Sequence, residues 1–109
     1  MSLPVVLRPE ASQDVKEARD HYEALRAGLG QTFLDRLDEV LTRISALPKL
    51  YAVAWRNVRA ARLRQFTYVV YFRVHDDCVK VLAVVVTVML PLMVTLPVPR
   101  LRLLVPVKV

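Results

Sequence analysis

Hydrophobic residues recur at intervals of three and four in the first half of the chain. The two stripes are Val15, Ala18, Tyr22, Leu25 and Leu29, and then Phe33, Leu37, Val40, Leu41, Ile44 and Leu47. This spacing places each stripe on one face of an amphipathic helix. Gly28 and Gly30 separate the stripes, and Pro48 ends the second one. The sequence therefore predicts an antiparallel helical hairpin, with helices near residues 10–27 and 31–47.

The second half of the chain changes to strand-like patterns rich in β-branched and aromatic residues. Strands are predicted at residues 3–7, 61–66, 68–75 and 78–86, with a tight turn at Asp76-Asp77. Two sets alternate along the third strand: Tyr68, Val70, Phe72 and Val74, and Val69, Tyr71, Arg73 and His75. The first set is the more apolar, so it should face the helices.

These elements predict an α+β fold in the order β-α-α-β-β-β, an antiparallel sheet of three or four strands packed on one side by the helical hairpin. The residues expected in the core are Leu25, Leu37, Val40, Ile44, Val70 and Phe72. Residues 1–86 form the predicted domain. Finding Leu37 largely exposed would overturn this helix register.

An apolar, proline-rich tail, residues 87–109, follows this domain. Residues 81–99 carry no charge. The length of this uncharged stretch is close to that of a membrane span. A transmembrane helix is disfavoured because three prolines interrupt this stretch and its beginning is needed as the last strand. We expect that strand to reach about Val88. Beyond it, the tail should cover an apolar surface of its own chain or of a second copy, which would make it a route to homo-oligomers.

Charge is distributed unevenly along the chain. Residues 1–43 carry six basic and eight acidic side chains, whereas residues 44–75 carry six basic side chains and no acid. Such a block attracts an acidic partner or a phosphate backbone. The lone Cys78 cannot pair within the chain, and Met1–Leu7 lacks the pattern of a secretory signal. Both features favour a cytoplasmic protein.

An ordered set of short motifs covers residues 3–85. The motifs are Arg8-Pro9-Glu10-Ala11, Tyr22-Glu23, Gly28-Leu29-Gly30 with Phe33-Leu34, Pro48 with Tyr51, Arg64-Gln65-Phe66-Thr67-Tyr68 with Tyr71, and the strand Val81-Leu82-Ala83-Val84. Together they resemble the ParE-like toxins of the RelE/ParE superfamily. The resemblance implies the toxin of a type II toxin–antitoxin pair, of the kind associated with plasmid stabilisation. A cognate antitoxin would neutralise it, and DNA gyrase would be its target.

The resemblance also leaves two alternatives open. RelE-like members of the superfamily cleave mRNA on the ribosome. Family members usually continue after the last strand with a segment resembling His-x-x-Arg-Asp-Pro, where this chain has Val86-Thr87-Val88-Met89-Leu90-Pro91. Reading a GC-rich gene out of frame can produce such an abrupt change. We therefore hypothesise a frameshifted or degenerate C-terminus, which makes a non-toxic relic or a pure interaction protein the other alternative.

The chemistry-bearing residues favour binding over catalysis. His21, His75, Tyr68 and Tyr71 are the candidate acids and bases for RNA cleavage, but no two of them pair at convincing spacing. One cysteine and two distant histidines make no metal site, and the glycines do not follow a strand as a dinucleotide-binding loop requires. We therefore expect no catalytic, cofactor or metal site, and no direct nucleic-acid specificity.

The predicted binding residues combine arginine with tyrosine, the composition of interface hot spots. They are Arg56, Arg59, Arg62, Arg64, Tyr71 and Arg73. Arg62 and Arg64 should share one face of a strand because they are two residues apart, and Tyr71 and Arg73 should share a face of the neighbouring strand. Arg56 and Arg59 should lie in the connection before the first of these strands.

Overall fold

Two consecutive helices form the antiparallel hairpin that the sequence predicts. The computed structural model describes residues 2–86. Helix α1 spans Pro9–Leu25, helix α2 spans Leu29–Ala46, and a short 3-10 helix, Pro48–Leu50, follows. Proline opens α1, where its missing N–H costs no hydrogen bond. Gly28 precedes α2 with a φ of 89°, a left-handed backbone that glycine adopts without a steric penalty.

Within residues 2–86, five strands form one sheet in the order β1-β5-β4-β3-β2. Their bounds are β1 Val5–Leu7, β2 Val53–Trp55, β3 Val58–Arg62, β4 Tyr68–Val74 and β5 Val79–Val86. The α+β class and the order of the predicted elements are confirmed. The expected turn between β4 and β5 is also present, where the His75 N–H donates to the Cys78 carbonyl.

Three details of the predicted sheet are wrong. The sheet is mixed, because β1 pairs with β5 in the parallel sense, whereas every strand was expected to be antiparallel. Strand β2 was not predicted, since three residues are too few to show an alternation. Strand β3 begins earlier than expected and ends at Arg62, because the Leu63 side chain enters the core and the chain then turns towards β4. The expected extension of β5 to Val88 lies outside the described residues, as does the tail.

The core lies between the helices and one face of the sheet. Leu37, Val40 and Ile44 of α2 pack there against Val70 and Phe72 of β4, which confirms these five core predictions and the register of α2. The helix-facing set of β4 is confirmed too, since Tyr68 and Val74 pack against the same cluster. Leu25 was expected in the core but is 64% exposed. Leu25 is the last residue of α1. The part of the apolar stripe that packs against the core ends one turn earlier, at Tyr22.

The turn between the helices is tied together by Glu23 and Gly30. One carboxylate oxygen of Glu23 accepts from the Gly28 N–H and the other from the Gly30 N–H, both at 3.0 Å. These bonds satisfy backbone donors at the start of α2 that have no partner inside the helix. A Cβ added at Gly30 would lie 2.8 Å from the Arg19 carbonyl oxygen. The two helices therefore approach closely only because residue 30 has no side chain.

We expect Gly30→Ala to lower the free energy of unfolding. Overpacking against a backbone oxygen costs about 1–3 kcal/mol, which exceeds the roughly 1 kcal/mol of helix propensity that alanine returns. Urea denaturation followed by circular dichroism measures the difference. The control is Gln31→Ala at the exposed neighbouring position, for which we expect a change within about 0.5 kcal/mol. A Gly30→Ala variant as stable as the parent would show that the helices can separate without cost.

Candidate binding face

Strands β3, β4 and β5 present a second sheet face on the side opposite the helices, called the outer face below. Residues paired across neighbouring strands point to the same side. Arg62 pairs with Val69, Ala60 with Tyr71, and Val58 with Arg73. On the other side of β4, Arg73 pairs with Lys80, Tyr71 with Ala83, and Val69 with Val85. The outer face therefore brings Arg62, Tyr71 and Arg73 together, and it adds Lys80.

The outer face combines buried valines with polar side chains that reach the surface. Val58, Val69 and Val85 are buried, although they lie outside the core cluster between helices and sheet. Arg62 and Lys80 are exposed, and Tyr71 and Arg73 are half-buried. The surface that this face offers is therefore made mainly of cationic side chains and one phenol ring.

Like charges lie directly opposite each other on the outer face. Arg73 of β4 and Lys80 of β5 are paired residues, an arrangement that destabilises a sheet unless an anion compensates it. The Arg73 guanidinium donates from Nε to the Asn57 side-chain oxygen at 3.1 Å, a neutral acceptor that leaves the charge in place. The outer-face positions of β3, β4 and β5 carry no acidic residue. The face is therefore suited to an anionic partner.

The other predicted binding residues lie elsewhere. Arg59 pairs with core residue Phe72, so it points to the helix side, and its Nη1 donates to the Tyr51 carbonyl at 2.6 Å. Arg64 lies beyond the end of β3, with Nη2 3.2 Å from a carboxylate oxygen of Glu39 on α2. The expectation that Arg62 and Arg64 share a strand face is wrong, because β3 ends at Arg62.

Arg56 lies in the turn between β2 and β3, with a φ of 52° and its guanidinium 4.7 Å from the centre of the Trp55 ring. Arg59, expected in the connection, lies within β3. Sequence reasoning missed Lys80 and Asn57 as neighbours of Arg73. Lys80 could have been predicted as an outer-face residue, because it is the single charged residue of an otherwise apolar strand and lies between Val79 and Val81.

The described residues bring no acid and base together on the outer face. His21 and His75 are exposed and lie on α1 and at the β4–β5 turn, and Tyr68 faces the core. Within residues 2–86, no group of three histidine, cysteine or acidic side chains is placed to hold a metal ion. No helix in that part of the chain is both long and apolar enough to cross a membrane. The arrangement on the outer face can bind an anionic surface through its cations and phenol.

The fold is similar to that of a solved toxin–antitoxin protein. A chain of the "Chromosomal ParDE TA system from P. aeruginosa" superposes with a TM-score of 0.61 at 16% sequence identity, covering 80% of this chain and 98% of the other. At that identity the likeness establishes the fold alone. No curated protein sequence matches this chain closely enough to be counted as a relative.

The family is established by the sequence itself. The family model described as "ParE toxin of type II toxin-antitoxin system, parDE" matches residues 5–89, which is most of the chain and includes α1, α2 and the strands β1 to β5. The family resemblance seen in the motifs is thereby confirmed: this chain belongs to the ParE toxin family of type II toxin–antitoxin systems.

Proposed function

We propose that this chain arrests bacterial growth by binding DNA gyrase through its outer face, and that a cognate antitoxin neutralises it. Membership in the ParE family supports the toxin role. The observation that carries the binding site is the grouping of Arg62, Tyr71, Arg73 and Lys80 on one face of strands β3, β4 and β5, whose sequences contain no acidic residue. Arginine and tyrosine are enriched among the residues that dominate the energetics of protein interfaces, because the planar guanidinium donates several hydrogen bonds in a fixed geometry and the aromatic ring buries a large area.

The proposed mechanism is binding without catalysis. Cleavage of RNA needs a general base and a general acid within hydrogen-bond reach of the reacting atoms. The outer face supplies cations for a phosphate but no carboxylate or imidazole along its strands. Gyrase is a cytoplasmic enzyme, so a protein that binds it acts in the cytoplasm. The single cysteine of the chain agrees with that location, because disulfides are rare in a reducing compartment. A mostly acidic antitoxin is the complement of the basic block of residues 44–75.

Induction of the full chain in a bacterium tests this proposal. We expect growth arrest with DNA-damage signalling, intact mRNA, and inhibition of gyrase supercoiling by the purified protein. Co-expression of the gene product encoded beside it should restore growth. Cleavage of ribosome-bound mRNA would instead establish the RelE-like alternative.

The same growth assay also tests the hypothesis of a frameshifted or degenerate C-terminus. The comparison is a chain in which a polar C-terminus, read from another frame of the gene, replaces residues 87–109. A toxic restored chain beside an inactive parent would identify this chain as a degenerate relic. Equal toxicity of the two chains would contradict the hypothesis of a degenerate C-terminus.

A further inference from the structure

Three large apolar side chains are exposed in the segment that joins α2 to β2. Leu47 is 56% exposed, Leu50 is 70% exposed and Val53 is 50% exposed. Leu47 precedes the 3-10 helix that Leu50 ends, and the Leu50 N–H donates to the Leu47 carbonyl at 3.1 Å. Residues three apart in a 3-10 turn lie above one another, so the two leucines extend from the same side. We call Leu47, Leu50 and Val53 the apolar tip.

The apolar tip is attached to the core from behind. The Arg59 guanidinium donates to the Tyr51 carbonyl, and the Tyr51 ring lies edge-on to Phe72 at 5.9 Å between centroids. Phe72 is fully buried in the core. The segment that carries the exposed leucines is therefore held by the fold. A partner that binds there loses little affinity to ordering of this segment.

The apolar tip protrudes instead of lining a groove. The exposed positions of this segment are 46, 47, 49, 50 and 52–54. Helical partners bind in grooves, and such a run of exposed positions does not line one. Strand β2 has three residues, and its pairing with β3 is irregular between Val53 and Trp55. Short and irregular edge strands resist the addition of a further strand. A flat, deformable surface therefore fits the tip better than a peptide does.

The charge around the apolar tip is entirely positive. Arg43, Lys49 and Arg56 are exposed beside it, and residues 40–75 contain no acidic side chain. No ion pair within residues 2–86 involves these three cations. A second copy of the chain would bring the same cations against each other, which like-charge repulsion opposes. The surface that meets the tip must therefore be anionic.

An anionic lipid bilayer supplies both the apolar and the charged contacts. Its headgroups attract arginine and lysine that lie close to the membrane surface. Leucine and tryptophan side chains enter the boundary between headgroups and acyl chains, as they do in interfacial helices. Trp55 lies beside the tip at the end of β2, and the Arg56 guanidinium is 4.7 Å from the centre of its ring. Leucine, tryptophan and basic residues are thus grouped at one end of the molecule.

We propose that the apolar tip docks this protein on the surface of an anionic lipid bilayer. Leu47 and Leu50 enter the boundary between headgroups and acyl chains, and Arg43, Lys49 and Arg56 contact the lipid phosphates. The contact is peripheral, so the domain stays folded on the membrane surface. The proposal goes beyond gyrase inhibition and does not depend on it.

Vesicle binding by the full-length protein tests this proposal. The probe is large unilamellar vesicles of equal parts phosphatidylglycerol and phosphatidylcholine. We expect saturable co-sedimentation with the vesicles that weakens with added salt. Trp55 is the single tryptophan of the chain, and its fluorescence emission should shift to shorter wavelength on binding. Vesicles of phosphatidylcholine alone should bind at least about tenfold more weakly, because they lack the anionic headgroups.

Two variants, each with a matched control, locate the contact. Leu50→Asp should weaken vesicle binding by at least about tenfold, and Lys49→Glu by at least about fivefold. Leu25→Asp and Lys16→Glu make the same chemical changes at exposed positions of α1. Both controls should leave vesicle affinity nearly unchanged. Circular dichroism establishes that all four variants are folded.

Several results would overturn the proposal. They are the absence of co-sedimentation, equal binding to neutral vesicles, and equal weakening by Leu25→Asp and Leu50→Asp. Vesicle binding that neither Leu50→Asp nor Lys49→Glu weakens would place the contact elsewhere in the chain. Binding of polyglutamate without binding of vesicles would assign the apolar tip to an acidic protein. Failure of gyrase inhibition would leave the vesicle result standing, so the two proposals fail separately.

Discussion

Replacing Phe33 by alanine is expected to lower the free energy of unfolding by about 3–5 kcal/mol. Phe33 is fully buried where the two helices meet the β3–β4 loop. Its ring centroid lies 5.5 Å from that of Tyr22, 5.3 Å from that of Phe66 and 5.2 Å from that of Tyr68. The cavity would thus separate both helices from the loop. The loss is a large part of the roughly 5–15 kcal/mol that stabilises a domain of this size.

Urea denaturation followed by circular dichroism measures this loss. Leu25→Ala serves as the matched control, because Leu25 is a large apolar side chain of the same hairpin that the structure leaves mostly exposed. We expect the control to change stability by no more than about 0.5 kcal/mol. Comparable losses in the two variants would mean that the aromatic cluster does not hold the loop on the helices.

The helices and their inward faces could be predicted because the signal is local. Apolar residues at intervals of three and four put Leu37, Val40 and Ile44 on one stripe of α2, and all three are buried. The same rule misplaced Leu25, because periodicity does not say where the opposing layer stops. In β4, alternation assigned Val70 and Phe72 correctly to the helix side.

What the sequence could not show depends on contacts between distant segments. The parallel pairing of Val5 with Val79 joins residues far apart in the chain, and nothing in the three residues of β1 specifies that direction. The expected placement of Arg64 on the same strand face as Arg62 was wrong for a related reason, because Arg64 was interpreted as a continuation of β3. The turn that removes it depends on Leu63 entering the core and on Glu39 of α2.

Reversing two charges on the outer face is expected to abolish gyrase inhibition while the fold persists. The variant is Arg62→Glu combined with Arg73→Glu in the full chain. Hot-spot residues of an interface contribute at least about 2 kcal/mol each, so each substitution of such a residue should raise the inhibitory concentration about 30-fold or more. The measurement is the supercoiling assay over a range of protein concentrations, with growth arrest on induction as the second readout.

The control carries the same change of charge on a different surface. Lys16→Glu combined with Arg26→Glu alters an exposed cation of α1 and an exposed cation at its C-cap, and it should leave inhibition within a few-fold of the parent. Retained inhibition in the outer-face variant, or an equal loss in the control, would contradict the proposed site.

Stability separates a binding role of the outer face from a structural one. Glutamate at position 73 would replace the like-charge pair with Lys80 by an opposite-charge pair, which contributes about 0.2–1 kcal/mol across neighbouring strands. That gain offsets the lost hydrogen bond from Arg73 to Asn57. The Arg73→Glu substitution alone should therefore leave the unfolding temperature close to that of the parent. Loss of inhibition without loss of stability would indicate that the outer face serves binding and not folding. The repulsion between Arg73 and Lys80 would then be relieved when an anionic partner binds.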